Sequence, residues 1–125
     1  MMPARGLNGP KTLTLLGVAF FLSACAQSQP AGDPSYAALA PRAEVLARNT
    51  VQTALETAQS RSSLGWSFVE DGSSGAITPL RSYKSTTGYY CREYVEVIET
   101  AAKGSNSRQR TACRDVDGVW KPIRS

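Results

Sequence analysis

The N-terminal segment has the order of an export signal, so it is not expected to belong to the folded domain. Residues 1–12 carry two basic side chains and no acidic one, residues 13–22 read LTLLGVAFFL, and small residues follow before Cys25. This order is typical of a secretory signal peptide, and we assign residues 1–24 to it. A membrane-spanning helix is the alternative, but the apolar run is about half of the ~20 residues that a span needs.

The sequence Leu22-Ser23-Ala24-Cys25 resembles the lipobox of bacterial lipoproteins. The resemblance implies acylation of the Cys25 thiol, cleavage before Cys25 and acylation of the new amino terminus. Several acyl chains anchor a protein durably, whereas one chain binds a membrane only marginally. The alternative is an ordinary signal peptide with a chance cysteine near its cleavage site. In lipoproteins that resemble those of enteric bacteria, an aspartate after the lipidated cysteine favours retention in the inner membrane. This chain has Ala26 at that position, so we expect the lipid-anchored protein in the outer membrane.

Residues 25–41 are predicted to form a lipidated flexible tether. They contain three prolines, small residues and a single charge, Asp33. Such a stretch has too little apolar area to fold. Fully extended, it would reach roughly 50 Å from the lipid. The domain is then predicted to comprise residues 42–125.

The charge balance of the exported part gives no reason to expect nucleic-acid binding. After removal of the signal, 12 basic and 10 acidic side chains remain. A strongly basic face, which nucleic acid requires, is not indicated by so small an excess.

An amphipathic helix is predicted over residues 42–60. Val51, Ala54, Leu55 and Ala58 recur at helical spacing and form one apolar stripe, which must pack on another element. Pro41 suits the first turn of this helix.

From Ser62 onward the pattern changes to short strands and turns. Pro79 indicates an edge or irregular strand, and Asp117-Gly118 indicates a tight turn. The fold class is therefore α+β, with one helix on an antiparallel sheet of four or five strands. The predicted strands are residues 65–71, 76–83, 89–100, 107–114 and 119–123, with a turn at 72–75.

Cys91 and Cys113 can be interpreted in three ways. A structural zinc site needs four ligands, usually cysteine and histidine at close spacing, and the chain has no histidine. A nucleophilic thiol normally needs a partner base, although a nearby arginine can lower a thiol pKa, so a redox role stays an alternative. A disulfide needs only proximity and an oxidising compartment, and lipidation of Cys25 leaves an even pair. We therefore predict a Cys91–Cys113 disulfide, with no metal and no cofactor.

The spacing of this pair predicts neighbouring strands of one hairpin. Directly opposed cysteines put the hairpin centre at residue 102, whereas Gly104 suggests a slightly later centre, so a bulge or diagonal pairing is expected. By the loop-entropy estimate, such a disulfide stabilises the domain by about 3 kcal/mol.

Arg92 and Arg114 each follow a cysteine and should point to the opposite face of the sheet. One interpretation pairs them with nearby carboxylates or lets them cover apolar surface. The other is an anion-binding or partner-binding patch, which Arg108 and Arg110 would extend. The carboxylates considered are Glu93, Glu96, Asp115 and Asp117.

Three segments, residues 66–83, 88–94 and 111–121, resemble the C-terminal domain of the 17 kDa surface antigen family of outer-membrane lipoproteins. They read WSFVEDGSSGAITPLRSY, GYYCREY and TACRDVDGVWK. The resemblance implies an outer-membrane lipoprotein that is antigenic when displayed, and it implies no known catalytic activity. The chain departs from the family where many members carry a glycine-rich zipper before the domain, and at Arg110, where glycine is common.

These features predict a non-enzymatic outer-membrane lipoprotein with a structural or protein-interaction role in the envelope. The expected partners are the membrane, through the lipid, and an envelope protein. A lipid-anchored accessory subunit of a secretion or assembly machine is one alternative. A small-ligand-binding domain, with Arg92, Arg114 and Glu93 around a pocket, is another.

Overall fold

The computed structural model describes residue 17 and residues 33–124. Cys25, nearly all of the predicted signal and the first part of the predicted tether lie outside the described residues. In chain order, the described elements are a short 3-10 helix at Pro34–Tyr36, helix α1 at Pro41–Thr57, and strands β1 at Leu64–Phe68, β2 at Ser73–Lys84, β3 at Tyr90–Thr100, β4 at Gly104–Arg114 and β5 at Trp120–Ile123.

The five strands form one antiparallel sheet in the order β1-β2-β3-β4-β5, so each strand pairs with its neighbour in sequence. Helix α1 packs on one face of this sheet, and the predicted α+β class is confirmed. The core lies between the two layers. Its buried side chains on the sheet include Trp66, Ile77, Tyr94, Ile98 and Ala112.

Helix α1 begins at the predicted proline. It lies close to the sheet because most side chains on its buried face are small. Ala43, Ala47 and Ala54 are fully buried, and Leu55 is 1% exposed. Burial of a leucine side chain such as this one contributes about 1.5–3 kcal/mol. The helix ends three residues earlier than predicted, because Ala58 adopts an extended backbone.

The β1–β2 connection differs from the sequence prediction. We expected a strand over 65–71 and a turn over 72–75, but β1 ends at Phe68 and the turn occupies 69–72. Gly72 has φ 69°, a left-handed conformation that glycine adopts without steric cost. Asp71 in this turn accepts a hydrogen bond from the Ala40 N–H at 3.0 Å, which ties the turn to the start of α1.

Pro79 lies in β2, which is an interior strand of the sheet and not an edge. The irregular part of that prediction is confirmed, since the β2–β3 register shifts between Pro79 and Ser82. The β1–β2 pairing already ends at Leu64 and Ile77, so Pro79 lies beyond the end of β1. A proline is tolerated there because no strand on that side needs its missing N–H.

Residues 33–40, which we call the N-terminal strap, are packed against the domain, so the predicted tether over 25–41 is wrong for this part. Tyr36 is 4% exposed and Leu39 is 9% exposed, and both belong to the core. Asp33 forms ion pairs with two arginines of β4. These contacts supply the apolar area and the charge pairing that local composition did not indicate.

Candidate functional site

Cys91 of β3 lies directly opposite Cys113 of β4, and the two form the predicted disulfide. The pairing continues without a shift to Thr100 opposite Gly104, so the expected bulge or diagonal pairing is wrong. Gly104 has φ 65° and begins β4 rather than marking a later hairpin centre. The disulfide therefore fixes the register of β3 and β4, each of which has 11 residues.

The four arginines of the predicted patch project toward α1 and the strap, on the face of the sheet opposite the disulfide. They contact α1 or the strap, as the alternation along β3 and β4 requires. Arg92 is 9% exposed, so it belongs to the interior and not to an open surface patch. The four residues are Arg92, Arg108, Arg110 and Arg114.

Arg92 caps the C-terminal end of α1. Its Nη1 donates to the carbonyl oxygens of Leu55 at 2.8 Å and Ala58 at 2.9 Å, with a longer contact to Ala54 at 3.4 Å. The Ala54 carbonyl also accepts from the Ala58 N–H at 2.9 Å. The carbonyls of Leu55 and Ala58 lie at the end of the helix, where intrahelical donors run out, and a cation there also interacts favourably with the helix dipole. Burial lowers the pKa of Arg92 from its usual value.

Arg114 and Trp120 reach the same carboxylate of α1. Arg114 Nε donates to Glu56 Oε2 at 3.0 Å, and the Trp120 indole N–H donates to that oxygen at 2.8 Å. One turn earlier, Gln52 accepts from the Trp120 N–H at 2.8 Å and donates to the Trp120 carbonyl at 2.6 Å. The side-chain amide thus pairs with the backbone of β5 as a neighbouring strand would.

Arg108 and Arg110 enclose a buried cluster of charges under the strap. Both donate to Asp33 Oδ2, at 2.6 and 2.5 Å. Glu96 is fully buried below them, and its Oε2 accepts from the Tyr36 hydroxyl at 2.6 Å. Its Oε1 lies 3.6 Å from Arg108 Nη2. Two carboxylates and two guanidinium groups therefore compensate one another, which such burial requires.

The ionisation of this cluster follows from its contacts. Burial opposes ionisation of Asp33, but hydrogen bonds from Arg108 and Ser35 and the charge of Arg110 hold its pKa well below the usual range. Burial and the neighbouring Glu96 carboxylate raise the pKa of Tyr36. Burial also raises the pKa of Tyr94 to about 12.

The carboxylates expected beside Arg92 and Arg114 are elsewhere. Glu93 pairs with Arg81 at 3.0 Å on the other face of the sheet, so the predicted pocket of Arg92, Arg114 and Glu93 is wrong in its third member. Arg92 and Arg114 do line one surface cavity of about 430 Å³, together with Glu56 and Trp120.

Sequence reasoning missed Glu56 and Tyr36 as partners of β-strand side chains, and Gln52 as a partner of the β5 backbone. Among residues 33–124, no group of three or more Cys, Asp or Glu side chains is arranged to hold a metal ion. None of the helices in this part of the chain is long and apolar enough to span a bilayer.

A helix on a disulfide-linked five-stranded meander, with the buried Glu96 carboxylate compensated by Tyr36 and two arginines, defines a small α+β domain suited to an oxidising compartment. Residues 53–121 match the family described as 17 kDa outer membrane surface antigen, and the chain belongs to this family. The name of the family indicates a cell-surface or outer-membrane location.

Curated relatives support the same assignment. The chain is 42% identical over 78 residues to the 17 kDa surface antigen of Rickettsia bellii and 40% identical over the same length to that of Rickettsia rickettsii. The aligned region is 62% of this chain and 48% of each relative, so the chain spans about half the length of the curated relatives it matches. No solved structure matches.

Proposed function

We propose that this protein is a lipid-anchored surface antigen of the outer membrane, whose domain acts through contacts with other envelope proteins and not through catalysis. The observation that carries the proposal is the packing of the strap on the domain, beginning at Asp33, combined with the Leu-Ser-Ala-Cys sequence that ends at Cys25. The family assignment supports the location, and the two features together support an anchor close to the folded domain.

The strap shortens the distance between the proposed lipid and the domain. If Cys25 carries the lipid, the segment up to Asp33 reaches at most roughly 28 Å, about half of what a tether ending at residue 41 would allow. The domain is then held near the headgroups, which favours partners that also lie at the membrane.

The non-catalytic role is supported by the bonding of the reactive groups, which are joined to other groups of the domain. Cys91 and Cys113 are joined to each other, and the buried carboxylate of Glu96 is occupied by Tyr36. A general base or nucleophile needs a free and suitably placed partner group. Several short polar contacts in the described chain instead connect the strap and α1 to the sheet.

A protein-contact role is supported by the second face of the sheet. Helix α1 covers one face only, and Val95 and Val97 on the other face are partly exposed in the described structure. The Arg81–Glu93 ion pair lies on that same face. An apolar centre with a charged margin is the usual composition of a protein–protein interface.

The anchor is tested by labelling cells with radioactive palmitate while they express the wild-type chain or the Cys25→Ser variant. We expect label and membrane fractionation in the wild type, and loss of both in the variant. Ser28→Ala is the matched control and should behave as wild type. Equal labelling of the Cys25→Ser variant would contradict the anchor assignment.

The contact role is tested by placing a photo-crosslinking amino acid at Val97 in intact cells. We expect one product of defined mass from Val97 and none from Val45, an exposed position on α1. The same diffuse crosslinking pattern from both positions would argue against a specific partner.

Protease treatment of intact cells, compared with lysed cells, decides on which side of the outer membrane the domain lies.

A further inference from the structure

We propose that the cavity beneath the C-terminal end of α1 binds a carboxylate, with Arg92 as its principal partner. We call it the Arg92 cavity. It has a volume of about 430 Å³ and lies where β3 begins and β4 ends. That volume is in the range of small-molecule sites in proteins. Its lining includes Glu56, Ser82, Tyr90, Arg92, Arg114 and Trp120.

Arg92 is a buried cation that lacks a carboxylate partner among residues 33–124. The ion pairs of the described chain include Arg48, Arg81, Arg108, Arg110 and Arg114, but not Arg92. Buried charges in proteins are normally paired, because removal of an ion from water is costly. The helix-end carbonyls compensate the guanidinium only in part, since they carry partial charges.

The hydrogen-bond donors of Arg92 are also incompletely used. All of its hydrogen bonds to described residues start from Nη1, and its Nε is buried without a partner. A guanidinium presents its donors in a planar fork that fits the two oxygens of a carboxylate. Nη2 makes no hydrogen bond to the described residues and is not among the fully buried atoms, so it is the donor that a ligand in the cavity can reach.

The charge of the lining favours an anion with one negative charge. Arg92 and Arg114 contribute two positive charges, and Glu56 contributes one negative charge, so the lining carries a net charge of +1. The Arg114–Glu56 pair is at the rim, with both side chains more than 40% exposed, so it can rearrange at low cost. The hydroxyl of Ser82 offers a further donor.

The aromatic residues of the lining indicate the remainder of the ligand. Trp120, which is 6% exposed, and Tyr90, which is 63% exposed, both belong to the lining. Flat apolar surfaces beside a guanidinium favour a carboxylate that carries an aromatic or aliphatic body. Such a group belongs either to a small organic acid or to the terminal carboxylate of a peptide.

The test uses the full-length chain in detergent micelles and follows the Arg92 Nε–H and Trp120 indole N–H signals by NMR. Benzoate is the probe, and benzamide is its uncharged isostere. We expect benzoate to shift both signals saturably and benzamide to leave them unchanged. Equal effects of the two compounds, or no effect of benzoate, would overturn the proposal.

Charge variants at the rim separate binding from a merely structural effect. Arg114→Gln lowers the lining charge to zero and should weaken benzoate binding by about three- to tenfold. Glu56→Gln keeps an acceptor for Trp120, raises the lining charge to +2 and should strengthen binding by a similar factor. Arg81→Gln, on the other face of the sheet, is the control and should have no effect. Changes of the same sign in both rim variants would contradict the assignment.

Two further probes identify the kind of carboxylate. Inorganic phosphate should bind more weakly than benzoate, and tighter binding of phosphate would overturn the choice of a carboxylate. A tripeptide with a free C-terminus is compared with the same peptide amidated. If the free peptide binds and the amidated peptide does not, a peptide terminus is favoured as the natural ligand. If benzoate binds and neither peptide does, a small organic acid is favoured. The proposal does not depend on the lipid anchor, so failure here leaves the proposed location unaffected.

Discussion

The indole of Trp66 packs across the α-carbon of Gly75, its direct partner on the neighbouring strand. A Cβ atom added at Gly75 would lie 2.5 Å from Trp66 Nε1 and 2.6 Å from the Val97 carbonyl oxygen. Gly75 does not have a positive φ, so its requirement for glycine is steric and not conformational. Both residues fall in the segment that resembles the surface antigen family, and the contact explains why they occur together.

Gly75→Ala should destabilise the domain by about 1–3 kcal/mol, because the methyl group forces the buried indole or the β3 backbone to move. The measurement is urea unfolding followed by tryptophan fluorescence. Gly65→Ala is the matched control, since its methyl group meets only a carbonyl oxygen at 3.5 Å. Equal unfolding midpoints for the two variants would contradict the steric interpretation.

Tyr36→Phe and Tyr94→Phe should differ in sign or in size, although both tyrosines contact the buried charge cluster. The Tyr36 hydroxyl donates to Glu96, whereas the buried Tyr94 hydroxyl has no partner among the described residues. Loss of the Tyr36 donor leaves a buried carboxylate oxygen unsatisfied and should cost about 1–3 kcal/mol. Removal of the unpartnered Tyr94 hydroxyl should be neutral or slightly stabilising.

Equilibrium unfolding in urea at neutral pH distinguishes these two substitutions. The expected result is a lower midpoint for Tyr36→Phe and an unchanged or higher midpoint for Tyr94→Phe, with equal slopes. If both variants lost the same stability, the Tyr36–Glu96 hydrogen bond would have no special role in holding the strap.

Reduction of the Cys91–Cys113 disulfide should lower the free energy of unfolding by about 3 kcal/mol, as expected for a sequence separation of 22. The reason is that the intact link restricts the unfolded chain across the β3–β4 hairpin. Urea unfolding of wild type with and without reductant measures the effect. A Cys91→Ser, Cys113→Ser double variant controls for the reductant and should not respond to it.

The sheet and its disulfide were largely predictable from the sequence, because their signals are local. The long alternating strand at 89–100, the following turn and the return at 107–114 place Cys91 near Cys113 within one hairpin. The predicted ends of helix α1 and of the β1–β2 turn were wrong, because the backbone conformation of a single residue sets each of them. Ala58 ends α1 early, and Gly72 shifts the β1–β2 turn, although neither change alters the hydrophobic pattern.

The strap and the role of the arginines could not be predicted, because their partners are distant or belong to the backbone. Asp33 pairs with Arg108 and Arg110, which are 75 and 77 residues away. Arg92 donates to main-chain carbonyls of α1, which no side-chain pattern can reveal. Only the isolated charge of Asp33 in a weakly polar segment could have indicated a specific contact.

The strap should loosen from the domain in acid, and Asp33 determines the direction of this effect. Its pKa in the folded chain is held below the unfolded value, which is near 4. Asp33 therefore stabilises the fold fully above pH ~5, and its contribution falls by at most about 1.4 kcal/mol per pH unit as pH drops below ~4. Thermal unfolding of wild type and Asp33→Asn between pH 7 and pH 2.5 should give a difference that shrinks toward low pH. Asn49→Ser, an uncharged exposed change on α1, should give a difference that does not vary with pH. A constant difference for Asp33→Asn would show that its ion pairs with Arg108 and Arg110 contribute nothing that depends on ionisation.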